Sequence, residues 1–166
     1  MVMGVLMGCT TSQRTPKPSL TIADGANLPK GCTPERVAGI VSGFFEAINQ
    51  GDADKVLRYF GEGFQWYSAP AGGVEGHKVD SLSKFQELGP YFATRIDQRE
   101  QMQLKEVKIT GGNHLGGVDF AISINRTADD LKWGAGTVPG KGAVDCAKGT
   151  IMVWSLGAGA GVPDDR

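Results

Sequence analysis

Apolar residues recur at helical spacing in one stretch of this chain and at strand spacing through most of its second half. Val37, Ile40, Val41, Phe44, Phe45 and Ile48 fall three and four residues apart, which puts them on one stripe of a helix and predicts that the stripe is buried. Thr33 can accept a hydrogen bond from the free amides of the first turn, and Pro34 suits the first helical position, where no donor is needed. Gly51, after Asn49 and Gln50, reads as a left-handed stop, and Asp52 can cap a second helix carrying Val56, Leu57 and Phe60. The run from Phe64 to Ser68 then reads as the first strand.

A third helix is predicted from about Leu82 to Thr94, with Phe85, Leu88 and Phe92 on one face. Gly89-Pro90 either breaks it into two pieces or kinks it, opening a pocket mouth and aiming Tyr91 at it. Met102 and Leu104 alternate, then the apolar phase shifts to Val107 and Ile109, the mark of a bulge that bends a strand. Gly111-Gly112-Asn113 signals a hairpin turn. Val118, Phe120, Ile122 and Ile124 alternate against Asp119, Ser123 and Asn125, so that strand has one buried face and one wetter one. Ala128 to Pro139 reads as a loop holding Trp133, and the segments GKGAVDC and TIMVWSL as a final hairpin.

The order of helix, INQGDADKVLRYF, then FQWYSAP resembles the opening of the NTF2-like superfamily, with its SnoaL-like and ketosteroid-isomerase-like members. The resemblance covers roughly residues 33–157, most clearly the first third. It implies an α+β fold: an NTF2-like cone in which a curved antiparallel sheet packs on about three N-terminal and central helices, with a pocket between them. Isomerases, dehydratases, cyclases, transport factors and ligand-free association modules share that fold, so the resemblance does not choose an activity. Most members self-associate through the outer sheet face, which makes a homodimer one further implication.

Composition adds limits. With 166 residues, 40% of them hydrophobic, and a net charge of −1, the chain supports one core and no second domain. Its Lys and Arg residues are scattered, against the basic face that a nucleic-acid partner would require. Beyond the leader, no apolar run approaches the roughly 18 residues of a membrane-spanning helix.

The leader carries its own signal. Leu6-Met7-Gly8-Cys9 resembles the lipobox of bacterial lipoproteins, in which the cysteine is acylated and becomes the mature N-terminus. Thr10 to Lys30, rich in Ser, Thr, Pro and Gly, reads as a tether. The expected organisation is therefore leader 1–9, flexible tether 10–32, domain 33–157 and frayed tail 158–166, in an extracytoplasmic protein anchored to the cell membrane by lipid alone. No Lys or Arg precedes a short apolar stretch, which points to a start codon set too far downstream or to a trimmed chain. An incidental cysteine near the terminus is the plainer reading of Cys9. With Cys9 taken by lipid, Cys32 and Cys146 remain for a disulfide between the helix start and a hairpin tip; two separate free thiols are the alternative. His77 and His114 lack ligand spacing to them, so no zinc or other metal site is expected.

The resemblance marks two positions where catalytic groups would stand. Isomerases of this superfamily use a tyrosine hydroxyl on the first helix and a carboxylate before a proline after the first strand. Here Phe44 and Ala69 stand at those positions, with Tyr67 and Glu75 the nearest substitutes. His77 could act with Asp80 as its orienting group, although a lone solvent-facing histidine is the commoner outcome. Gly72-Gly73 and Gly116-Gly117 lack the strand-to-helix setting of a phosphate cradle, so no cofactor is expected. Trp66, Tyr91, Phe120, Ile122 and Trp154, with Trp133, are the candidate lining of a ligand pocket. Core packing would account for Trp66 and Trp154 equally well. The expected function is binding of a small apolar molecule or a partner protein, with a SnoaL-like enzyme acting on a hydrophobic cyclic substrate as the alternative. A cavity with two convergent titratable groups would favour the enzyme, and one lined only by Phe, Trp, Ile and Met, or filled by side chains, would favour binding or association.

Overall fold

The computed structural model of the chain describes residues 17–70, 79–131 and 135–157. The elements, in order, are β1 (Ser19–Ile22), α1 (Pro34–Asn49), α2 (Ala53–Leu57), β2 (Trp66–Pro70), β3 (Val79–Leu82), α3 (Phe85–Asp97), β4 (Gln101–Gly112), β5 (Val118–Thr127), β6 (Gly136–Asp145) and β7 (Thr150–Leu156). The strands form one sheet in the order β1-β4-β5-β6-β7-β2-β3. It is curved and unclosed, and with the three helices it makes the expected NTF2-like cone. Two of its pairings are parallel, β1 with β4 and β2 with β7.

Local chemistry sets the helices. Thr33 accepts from the Arg36 amide at 3.2 Å, with Pro34 in the first turn, and all six stripe residues of α1 are buried. Gly51 sits at φ +72°, a left-handed conformation that a β-carbon would strain, and Asp52 caps α2 by accepting from the Lys55 amide at 2.8 Å. α3 corrects two expectations. It runs through Pro90 without a break, because Gln86 and Pro90 are exposed and water can take the carbonyl that Pro90 cannot serve. Phe85, at the first helical position, lies beyond the packed face and is 41% exposed.

The strands carry the core. The phase shift in β4 is a bulge between Leu104 and Glu106, and the alternation in β5 is strict, with Val118, Phe120, Ile122 and Ile124 all buried. Gly142 on β6 leaves room for Phe120: a β-carbon there would meet the Phe120 ring and the Val153 carbonyl. β6 begins at Gly136, inside the stretch expected as loop, and pairs with β5 as far as Arg126. β1 lies in the stretch expected as tether; Ser19 to Ile22 pair with Glu106 to Ile109 of β4. Ahead of the start of β1, Asn49 completes the β4 edge. Its carboxamide donates to the Met102 carbonyl and accepts from the Met102 amide, both at 2.8 Å, as a neighbouring strand would.

Cys32 and Cys146 form a disulfide with Cα atoms 5.5 Å apart, joining the start of α1 to the β6–β7 turn. No helix of the described residues is long and apolar enough to cross a membrane. Cys9 and the tail from residue 158 lie outside the described residues.

Candidate functional site

The space between helices and sheet is occupied by the chain's own rings. Phe44, on the stripe of α1, is 5.0 Å from Trp154, 5.4 Å from Phe60, 5.6 Å from Phe45 and 5.8 Å from Phe92 between ring centroids. Tyr67 stacks parallel to Trp154 at 6.4 Å and meets Phe92 edge-on at 5.2 Å. Phe44, Tyr67, Ala69, Phe92 and Trp154 are all fully buried. The two positions where the resemblance placed a hydroxyl and a base are thus packing positions.

Polar chemistry inside the cone lies at the end of this cluster. Arg95 on α3 occupies the helix face of Leu88 and Phe92, and Arg126 takes the β5 position after Ile124 in the buried row. Between them sits Glu100, one carboxylate oxygen accepting from Arg95 Nε and the other from Arg126 Nε at 2.7 Å. Arg95 also grips Asp130 with both terminal nitrogens, at 2.7 and 2.8 Å. Burial works against the charge on each arginine. For Arg95 the Asp130 hydrogen bonds and Glu100 outweigh it, and for Arg126 Glu100 does, so both guanidinium pKa values are raised. The Arg95 hydrogen bond holds the Asp130 carboxyl below the usual carboxylate range. Among the described residues these pairs bring two cations and two anions together.

Tyr67 Oη and Trp154 Nε1 are buried with no hydrogen-bond partner among the described residues. Burial first, then the nearby Tyr91 and Glu100, push the Tyr67 hydroxyl well above its ordinary pKa. Tyr91 stands close, ring centroids 5.3 Å apart, and its hydroxyl is among the groups that raise the Tyr67 value. Tyr67 is therefore a neutral donor at physiological pH and not a base.

An open site lies on the other face of the sheet. Trp66, Val153, Ala143 and Asp119 form one cross-strand row over β2, β7, β6 and β5, and Ser155, Lys141 and Ala121 form the next. The two alanines leave a depression between Trp66 and the β4–β5 turn, whose Leu115 is 46% exposed. The resulting cleft holds about 490 Å³, within the range of small-molecule sites. Asn113 shapes its wall by accepting from the Leu115 and Gly117 amides and donating to Asp119 at 2.7 Å.

The five candidate lining residues do not converge. Trp66 lines this outer cleft; Phe120 touches it but is almost wholly buried. Ile122 and Trp154 belong to the inner core, and Tyr91 packs against Tyr67 and Phe92. Phe120, Ile122 and Trp154 alternate with the outward residues, so core and cleft share strands but not faces. His114 is at the rim of the cleft. Glu75, His77, Trp133 and the Asp80 side chain lie outside the described residues. Among the described residues no group of His, Cys, Asp and Glu could hold a metal ion.

No protein-family model matches the sequence, and no curated protein matches it. Solved structures do match in fold. An NTF2-like protein of unknown function from Mesorhizobium loti is 14% identical, with a TM-score of 0.53 over 81% of this chain and 99% of its own. SalBIII, an epoxide hydrolase/cyclase-like enzyme in pyran ring formation in the polyether salinomycin, is 15% identical, with a TM-score of 0.52 over 76% and 92%. The orange carotenoid protein of Anabaena (Nostoc), binding canthaxanthin, is 10% identical with a TM-score of 0.52; 85% of this chain spans 42% of that one. At such identities the likeness shows the fold alone.

Proposed function

We propose that this chain is an extracytoplasmic, lipid-anchored NTF2-like domain that binds a small apolar molecule on the outer face of its sheet and carries out no catalysis. The observation behind this reading is the occupied interior: Phe44, Tyr67, Phe92 and Trp154 fill the place where a substrate would sit, while the small residues Ala121 and Ala143 leave a cleft outside. Trp66 supplies a rigid apolar wall there. A canthaxanthin-binding protein with this fold is a precedent for apolar ligands. The Cys32–Cys146 bridge supports an oxidising compartment, and the Leu6-Met7-Gly8-Cys9 motif supports anchoring through Cys9.

The experiment is a fluorescence titration with N-phenyl-1-naphthylamine, an uncharged apolar probe. The wild-type protein binds it, and Trp66→Ala weakens binding by about tenfold, the effect of losing an aromatic anchor. Equal binding by both proteins would defeat the assignment. Cell fractionation tests the anchor separately: Cys9→Ala moves the protein from membrane to soluble fraction, and identical partitioning would exclude it.

A second reading rests on Tyr67. Its hydroxyl, buried and unpartnered among the described residues, is a donor of the kind that an enzyme of this fold would aim at a developing oxyanion. SalBIII is an enzymatic precedent for the fold.

A further inference from the structure

A second cleft, of about 680 Å³, lies at the β4 edge of the sheet, along α1 and the first residues of β4, away from the Trp66 site. Its chemistry differs from that of the outer cleft. The register of β4 with β5 sets Gln101 opposite Thr127 and Gln103 opposite Asn125, two adjacent cross-strand pairs that make a two-by-two array of amide and hydroxyl side chains. All four line this cleft.

Existing hydrogen bonds fix which end of each amide remains available. Gln103 Oε1 accepts from Lys105 Nζ at 2.7 Å, and Asn125 Oδ1 accepts from Thr137 Oγ1 at 3.1 Å, so their two NH₂ groups are left as neighbouring donors. Gln101 Nε2 donates to the Glu100 carbonyl at 3.1 Å, which leaves Gln101 Oε1 as an acceptor. The hydroxyls of Ser42 and Thr127 and the carboxylate of Glu46 add groups that make no hydrogen bond among the described residues. Lys17 and Glu46 contribute one charge of each sign. Phe45 and Leu104, both mostly buried, form the apolar part of its lining.

We propose that this cleft binds a short neutral oligosaccharide. A sugar offers adjacent hydroxyls, each both donor and acceptor, to a lining of fixed donors and acceptors, and its C–H faces suit the apolar surface. An apolar ligand would strip water from these amides without replacing its hydrogen bonds. A strongly charged ligand would meet no net countercharge. The site is independent of the apolar cleft at Trp66, and either can fail alone.

The test is side-chain amide NMR of the full chain, titrated with maltotriose, cellotriose and chitotriose at up to about 10 mM, a range that captures millimolar affinities. The carboxamide signals of Gln101, Gln103 and Asn125 shift saturably with at least one of the three sugars, and the Trp66 indole signal does not move. Gln103→Ala and Asn125→Ala, both at half-exposed positions, each weaken binding by about threefold to tenfold, the effect of one lost neutral hydrogen bond. Carboxamide signals that stay fixed with all three sugars overturn the proposal, as does undiminished binding by both variants.

Discussion

Arg126 Nε donates to Glu100 Oε1 at 2.7 Å with both side chains fully buried, at the point where the apolar row of β5 gives way to charge. This pair ties the end of α3 to the sheet, because Glu100 also holds Arg95 and Arg95 holds Asp130. Removing the Glu100 charge takes a buried anionic partner from both arginines, so Glu100→Gln should cost about 3–5 kcal/mol of stability. Asp129→Asn, which breaks the exposed pair with Arg99, should cost under about 1 kcal/mol. Urea unfolding of the two variants checks the contrast; equal losses would mean that the network is no more than a surface pair.

The Cys32–Cys146 bridge closes a separation of 114 residues. Restricting so long a loop in the unfolded chain stabilises the fold by about 2–5 kcal/mol. Urea unfolding with and without reductant should differ by that amount, and Cys146→Ser should lose the dependence on reductant. Identical midpoints for oxidised and reduced protein would contradict the bridge.

Tyr67 predicts an alkaline transition. Its folded pKa is raised, by burial first, so the protonated form is favoured in the folded state. That contribution is complete below the ordinary tyrosine value of about 10 and is lost as pH rises through the raised folded value. Tyr67→Phe should flatten the fall in stability above about pH 10, and at neutral pH should change stability by no more than about 1 kcal/mol, since the hydroxyl has no partner among the described residues. An unchanged alkaline slope would assign the fall to another group.

Ketosteroid isomerisation should be absent. Phe44 is packed edge-on to Trp154, and Ala69 is buried in the same core cluster, so neither a hydroxyl donor nor a carboxylate base stands at the two positions. One missing oxyanion donor is worth about 2.7–4 kcal/mol at the transition state, and a missing base about 10²–10⁴-fold in rate. Assay with a β,γ-unsaturated ketosteroid should give only the background rate. Rapid turnover would place a working base inside the cone and favour the enzymatic reading.

Periodicity made the helix stripe and the β5 alternation legible, because each residue there has a neighbour in phase whose burial it shares. The same periodicity carried a sign of the buried network: Arg95 is in phase with Leu88 and Phe92, and Arg126 with Ile122 and Ile124. Charged residues in phase with a core stripe indicate buried pairing, and Glu100 is the partner that both find. β1 was not legible, since four residues in a Pro- and Thr-rich setting become a strand only through parallel pairing with distant β4. The outer cleft was hidden for a related reason. Its floor is two alanines from different strands, which no local pattern marks.

The most direct test of the account is methyl NMR mapping of N-phenyl-1-naphthylamine on the full chain. The account predicts that the methyl signals of Leu115, Ala121, Ala143 and Val153 shift with a common saturation curve while those of Val41, Ile122 and Ile124, inside the cone, stay fixed. Shifts confined to Val41, Ile122 and Ile124 would contradict it, because the ligand would then have displaced the aromatic filling and entered the cone.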